Sequence, residues 1–143
     1  MLNSFTAHVQ INSTAYKVWE MLTKPQIMTQ WLGDPDMNLT VLTNWQVNSP
    51  VIIRGFHHTK FENRGVVLVF EKEKKLSFTH LSSVSGLPDV PESYSTLTFM
   101  LAPEKNKTNL TLNIENFPTE SIRKHLEFYW RTTLITIKNK AEE

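Results

Sequence analysis

The sequence predicts an α+β fold in which a sheet grips one long helix around a pocket, on three observations. A short alternating strand, Phe5–Ile11, is followed at once by a broken pair of helices bracketed by Trp19 and Trp31. A run of short β-branched and aromatic segments fills the middle of the chain. The chain then closes on one long amphipathic helix around Trp130.

In the first strand Phe5, Ala7, Val9 and Ile11 alternate with Thr6, His8 and Gln10, the period of a half-buried strand. Asn12 or Ser13 is placed to cap the next helix, in which Ala15, Val18, Trp19 and Leu22 recur at helical spacing. Pro25 cannot continue that helix, because it lacks an N–H and clashes with the preceding turn, but it can open a second. The second helix carries Ile27, Met28 and Trp31 and stops at Gly33, before Asp34-Pro35.

Strands are expected over Leu39–Leu42, Val51–Phe56, Gly65–Phe70 and Leu76–His80, with Glu71–Lys75 as a charged, solvated turn. A proline-punctuated loop, Leu87–Glu92, leads to a hairpin of Tyr94–Leu101 and Asn109–Glu115 joined through Ala102–Lys107. Thr119 then starts a helix running to about Lys140. Steps of 100° gather Ile122, Leu126, Tyr129, Trp130, Thr133, Leu134 and Ile137 on one arc. Phe128 and Ile135 fall on a second, smaller patch suited to weak homodimer formation.

At 143 residues the chain is expected to be one domain, 1–143, large enough for a real core. Its 40% hydrophobic and 20% charged residues are those of an ordinary globular protein, and a net charge of +1 gives no electrostatic case for nucleic acid. With no cysteine there is no disulfide, thiolate nucleophile or cysteine metal site. The first fifteen residues lack the basic-then-apolar order of a signal peptide, no segment reaches transmembrane length, and the expected address is the cytoplasm. Four glycines in all argue against a phosphate-cradling loop, and neither a Gly-x-Ser-x-Gly elbow nor a His-Glu-x-x-His motif is present. No cofactor is expected. His57 and His58 are adjacent in a strand and point to opposite faces, so no shared metal is expected there either.

Three pieces of sequence carry a family resemblance: Val18-Trp19 with Leu22-Thr23-Lys24-Pro25 and Trp31; Leu87–Tyr94 leading into Thr96-Leu97-Thr98-Phe99; and Asn116-Phe117-Pro118 followed by His125–Trp130. In that order the chain resembles the START-like (helix-grip) superfamily, and most closely the homologues of the activator of heat-shock-protein-90 ATPase. One departure is Trp45-Gln46-Val47-Asn48, where Asn48 replaces the customary glycine; Asn tolerates positive φ, so the turn is expected to survive. The resemblance implies a seven-stranded antiparallel sheet curved around the C-terminal helix, two short helices closing one end, and an apolar cavity between the layers. It carries over no catalytic residues.

The candidate ligand-binding residues are Trp31, Arg54, Phe56, Phe70, Phe78, Phe99, Tyr129, Trp130 and Thr133, aromatic or polar groups expected to face the interior. His80, Glu62, Glu92 and Glu115 are further titratable candidates. The leading reading is a domain that binds a small hydrophobic molecule. A second is an enzyme of cyclase, dehydratase or hydrolase type using the same cavity, marked by a titratable group buried beside Arg54. A third is a domain that assists a chaperone ATPase, as the family name suggests, marked by a solidly filled core.

Overall fold

The computed structural model describes residues 3–143. Strand β1 (Ser4–Ile11) forms where the alternation puts it, burying Phe5 and Ile11. Helix α1 (Ala15–Thr23) is capped by Thr14, whose hydroxyl accepts the Lys17 N–H at 3.2 Å, rather than by Asn12 or Ser13. It buries Val18, Trp19, Met21, Leu22 and Thr23, and Pro25 ends it by opening helix α2 (Pro25–Leu32). The remaining elements are β2 (Thr40–Leu42), β3 (Pro50–His57), β4 (Thr59–Glu71), β5 (Lys75–Ser82), β6 (Ser95–Glu104), β7 (Lys107–Glu115) and helix α3 (Glu120–Ala141).

The strands make one seven-stranded antiparallel sheet in the order β1-β7-β6-β5-β4-β3-β2. The elements follow the expected order, with one material difference. Strand β4 begins at Thr59, not Gly65, because β3 turns back sharply at His58 and pairs at once, His57 against Thr59 and Arg54 against Glu62. Thr59–Arg64 escapes an apolar alternation because its inward residues, Thr59, Phe61 and Asn63, border the cavity rather than packed core, and two of the three are polar. The reversals rest on ordinary residues held at positive φ: His58 at 65°, Glu73 at 62° and Lys105 at 59°.

Asn48 adopts the φ of 72° expected for it. Its N–H donates to the Val67 carbonyl at 2.8 Å, and the Val67 N–H donates to Ser49 at 2.9 Å. The turn thus docks on β4 where the pairing with β5 shifts register between Val67 and Val69.

Helix α3 is capped by the Thr119 hydroxyl and buries Leu126, Trp130, Thr133, Leu134 and Ile137, with Tyr129 half-buried, against the sheet. Its C-terminal end is tied to the start of the chain. The Glu142 carboxylate accepts the Asn12 N–H at 2.7 Å, and the Lys138 ammonium donates to the Gln10 carbonyl at 3.0 Å. Phe128 and Ile135 stay on the outer face, 78% and 56% exposed. Among the described residues no helix is long and apolar enough to cross a membrane.

Gly65 is required by space rather than by φ. A Cβ there would fall on the backbone carbonyl of Thr79 in β5, which cannot move aside as a side chain could. Gly65→Ala is therefore expected to cost about 2–4 kcal/mol, as an overpacked buried site does. Urea melts of the two proteins measure it; a loss below about 1 kcal/mol would show that β4 and β5 part without penalty.

Candidate functional site

The sheet curves away from α3 and leaves a cavity of about 500 Å³ between the two layers. Ligand pockets commonly enclose roughly 300–1,000 Å³ behind mostly apolar walls. The apolar end is lined by Leu22, Met28 and Trp31 from the short helices, Phe78, Leu97 and Phe99 from the sheet, and Leu126, Tyr129 and Trp130 from α3. Its aromatic walls support one another in edge-to-face and tilted contacts. The ring centroids of Phe99 and Trp130 are 5.5 Å apart, those of Tyr129 and Trp130 5.1 Å, and those of Trp31 and Trp130 6.1 Å. Such packing fixes ring orientation and keeps the walls from collapsing inward.

Two polar groups in this wall are spent on the backbone. The Trp31 indole N–H donates to the Met21 carbonyl at 2.8 Å. The Tyr129 hydroxyl donates to the Leu32 carbonyl at 2.6 Å and so joins α3 to the end of α2. Burial pushes that phenol up to about 12, so it remains protonated.

The other end of the cavity is polar. Asn63 from β4, His80 and Ser82 from β5, Ser95 from β6 and His125 from α3 all line it. Ser95 donates its hydroxyl to the Asn116 carbonyl at 3.1 Å. No side-chain hydrogen bond among the described residues involves the His80 imidazole, and since every sealed side-chain nitrogen or oxygen there has a partner, its ring nitrogens stand open to the cavity. Burial pushes its pKa down to about 4, with a smaller contribution from His125 opposite, so the ring is neutral at pH 7.

The segment between β5 and β6 closes over this end, with Val84, Ser85 and Leu87 in the wall. A chain of polar contacts clasps it to β4: the Tyr94 hydroxyl donates to the Asp89 carboxylate at 2.6 Å, which pairs with Arg64 at 3.3 Å, and Arg64 pairs in turn with Glu62.

Of the residues singled out in the sequence, Trp31, Phe78, Phe99, Tyr129 and Trp130 line this one cavity. Four do not. Arg54 and Phe56 lie on the outer face of β3, because Val51 and Ile53 are the inward residues of that strand; Phe56 is 49% exposed. Arg54 pairs there with Glu62 at 2.9 Å, a solvated ion pair that holds the Glu62 carboxyl below its usual range. Phe70 packs between Trp19 and Trp45, with centroids at 5.2 and 5.9 Å, and fills the core beneath α1. Thr133 is buried away from the cavity and donates its hydroxyl to the Tyr129 carbonyl at 2.7 Å.

His80, considered only as a titratable group, proves to face the interior, and His125 and Asn63 were not singled out. The signal for His80 was available, since it lies two residues beyond Phe78 on the same strand face. Among the described residues, no group of three or more metal-binding side chains comes together.

Residues 12–142 match the model of the family described as activator of Hsp90 ATPase homolog 1-like protein. A search of curated proteins found no significant match. Among solved structures, a Cytophaga hutchinsonii protein is 31% identical with a TM-score of 0.78, over 99% of this chain and 97% of its own. A Chromobacterium violaceum protein has a TM-score of 0.84 at 19% identity, over 100% of this chain and 99% of its own. The Aha1 dimer from Colwellia psychrerythraea has a TM-score of 0.78 at 17% identity, over 99% of this chain and 97% of its own. The last two likenesses are likenesses of fold.

The depressed His80 pKa has a stability consequence. Its native value, about 4, lies below the 6.5 of an unperturbed imidazole, so below pH 6.5 the unfolded chain takes up a proton that the native protein does not. The contribution is complete above pH 6.5 and drains away as pH falls towards 4, by roughly 3 kcal/mol in all. Urea melts across this window should show the decline in the native protein and a shallower one in His80→Leu. Parallel profiles for the two would mean that His80 titrates normally.

Proposed function

From the chain's membership of the activator of Hsp90 ATPase homolog 1-like family, a branch of the START-like helix-grip fold, and from its interior cavity, we propose that it binds a small, largely apolar molecule between the sheet and α3. The observation that carries this reading is the cavity of about 500 Å³, apolar at one end and polar at the other. Trp31, Phe78, Phe99, Tyr129 and Trp130 supply the apolar contact. Apolar transfer contributes about 25 cal/mol per Å² buried, enough for micromolar binding of a modest enclosed molecule after the cost of association.

The enzyme reading called for a titratable group buried beside Arg54, and Arg54 instead meets Glu62 on the outer face. The chaperone-assisting reading called for a filled core, and the space between sheet and helix weighs against it. Self-association through Phe128 and Ile135 remains part of the proposal, and sedimentation velocity of Phe128→Ser against the native chain tests it: a dimer signal unchanged by the substitution would remove that face from consideration.

Native mass spectrometry of protein purified from its own host, followed by thermal-shift screening of sterols, long-chain alcohols and fatty acids, tests the binding reading. Ile122→Trp at the α3 wall is expected to lower affinity for any hit by at least about tenfold, while Phe56→Ser on the outer face leaves it unchanged. A hit weakened equally by both would place binding outside the cavity.

A further inference from the structure

Resting on the cavity reading above, we infer that His80 is the polar anchor of the site and selects a neutral ligand carrying a hydroxyl or similar hydrogen-bonding group, in preference to a carboxylate of the same skeleton. The argument begins with what faces His80. It stands at the polar end of the cavity on β5, with Asn63 on the neighbouring β4 and Ser95 opposite it on β6. His125 faces it from α3, His57 lies at the end of β3, and Asp34 lies beyond α2.

Among the described residues neither a lysine nor an arginine lines the cavity; the nearby Arg64 is turned to the outer face and engaged by Glu62 and Asp89. A carboxylate entering here would lose its hydration and find no lysine or arginine to pair with. The alternative, protonating His80 to meet the anion, works against the burial that keeps this ring neutral.

A hydroxyl meets no such obstacle. A neutral imidazole offers one N–H donor and one acceptor nitrogen, and a hydroxyl can use either. Ser82 already accepts the Val84 N–H and Ser95 already donates to Asn116, each keeping part of its capacity, whereas the His80 imidazole is engaged by neither neighbour and offers both a donor and an acceptor. A long apolar tail would then run from His80 towards Trp31 and Trp130. The polar and apolar ends of the cavity thus set both the orientation and the charge of the molecule accepted.

A matched pair of probes tests this: 1-dodecanol against dodecanoate, by isothermal titration calorimetry at pH 7.5 in two buffers of different ionisation enthalpy. Dodecanol is expected to bind at least about tenfold more tightly, with no net proton exchange. His80→Leu should weaken dodecanol by roughly tenfold and narrow the gap between the probes, whereas His80→Gln, which keeps a neutral donor and acceptor, should stay within about threefold of the native chain. Dodecanoate binding as tightly as the alcohol, or tighter with uptake of a proton, would overturn the selection of a neutral ligand and leave the cavity reading standing. Equal affinity of His80→Leu and native protein for dodecanol would overturn the anchor. If neither probe binds, and neither shifts the amide resonances of cavity residues, both this inference and the cavity reading fall.

Discussion

The architecture depends on where helix α1 is made to stop. Pro25 has no N–H to offer the Met21 carbonyl one turn back, so that carbonyl is orphaned in a buried region. Leaving it unmet would cost about 1–3 kcal/mol. The Trp31 indole reaches back from the end of α2 and takes it, and the Trp45 indole takes the Thr23 carbonyl at 2.6 Å in the same way. Two large aromatic rings are thereby fixed in place by the polar needs of a helix end. One becomes a wall of the cavity; the other stacks on Phe70 and seals the core beneath α1. Without the break, α2 could not fold across the end of the sheet.

The cavity follows from this rigidity. Rings that are hydrogen-bonded at one edge and packed at the other cannot swing inward to fill space. Trp31, Tyr129 and Trp130 lean on one another and on Phe99, and Tyr129 is bonded to the end of α2. Elsewhere the interior is filled in the usual way, by Ile11, Leu110, Leu112, Ile114 and Ile137 at full burial.

Much of the fold was legible because periodicity is a direct print of burial. The arc on α3, the alternation of β1 and the proline break each correspond to one physical demand. Orientation within β3 was not legible: Val51-Ile52-Ile53 is a continuous apolar run and gives a strand no phase. The outward assignment of Arg54 and Phe56 follows only once the pairing of β3 with β2 and β4 is known. Phe70 and Thr133 failed as cavity residues for a different cause. Both face inward as expected, but which inward residues border a void depends on how neighbouring side chains interlock, and no local pattern records that. His80 lay within reach of the reading through its spacing from Phe78, yet its neutral state depends on burial by other elements.

The tight reversals at His58, Glu73 and Lys105 carry one more implication. A non-glycine residue in the left-handed region costs roughly 1–2 kcal/mol, and chains that build hairpins from the turn outward place glycine or asparagine there. This chain does not. Its hairpins are closed by their strands, through the paired register of Arg54 with Glu62, Glu71 with Lys75 and Glu104 with Lys107, and the turn residues accept the conformation imposed on them. The corners of the sheet are accordingly places where the sequence is locally at odds with its own backbone, and the agreement that holds the sheet together lies along the length of its strands.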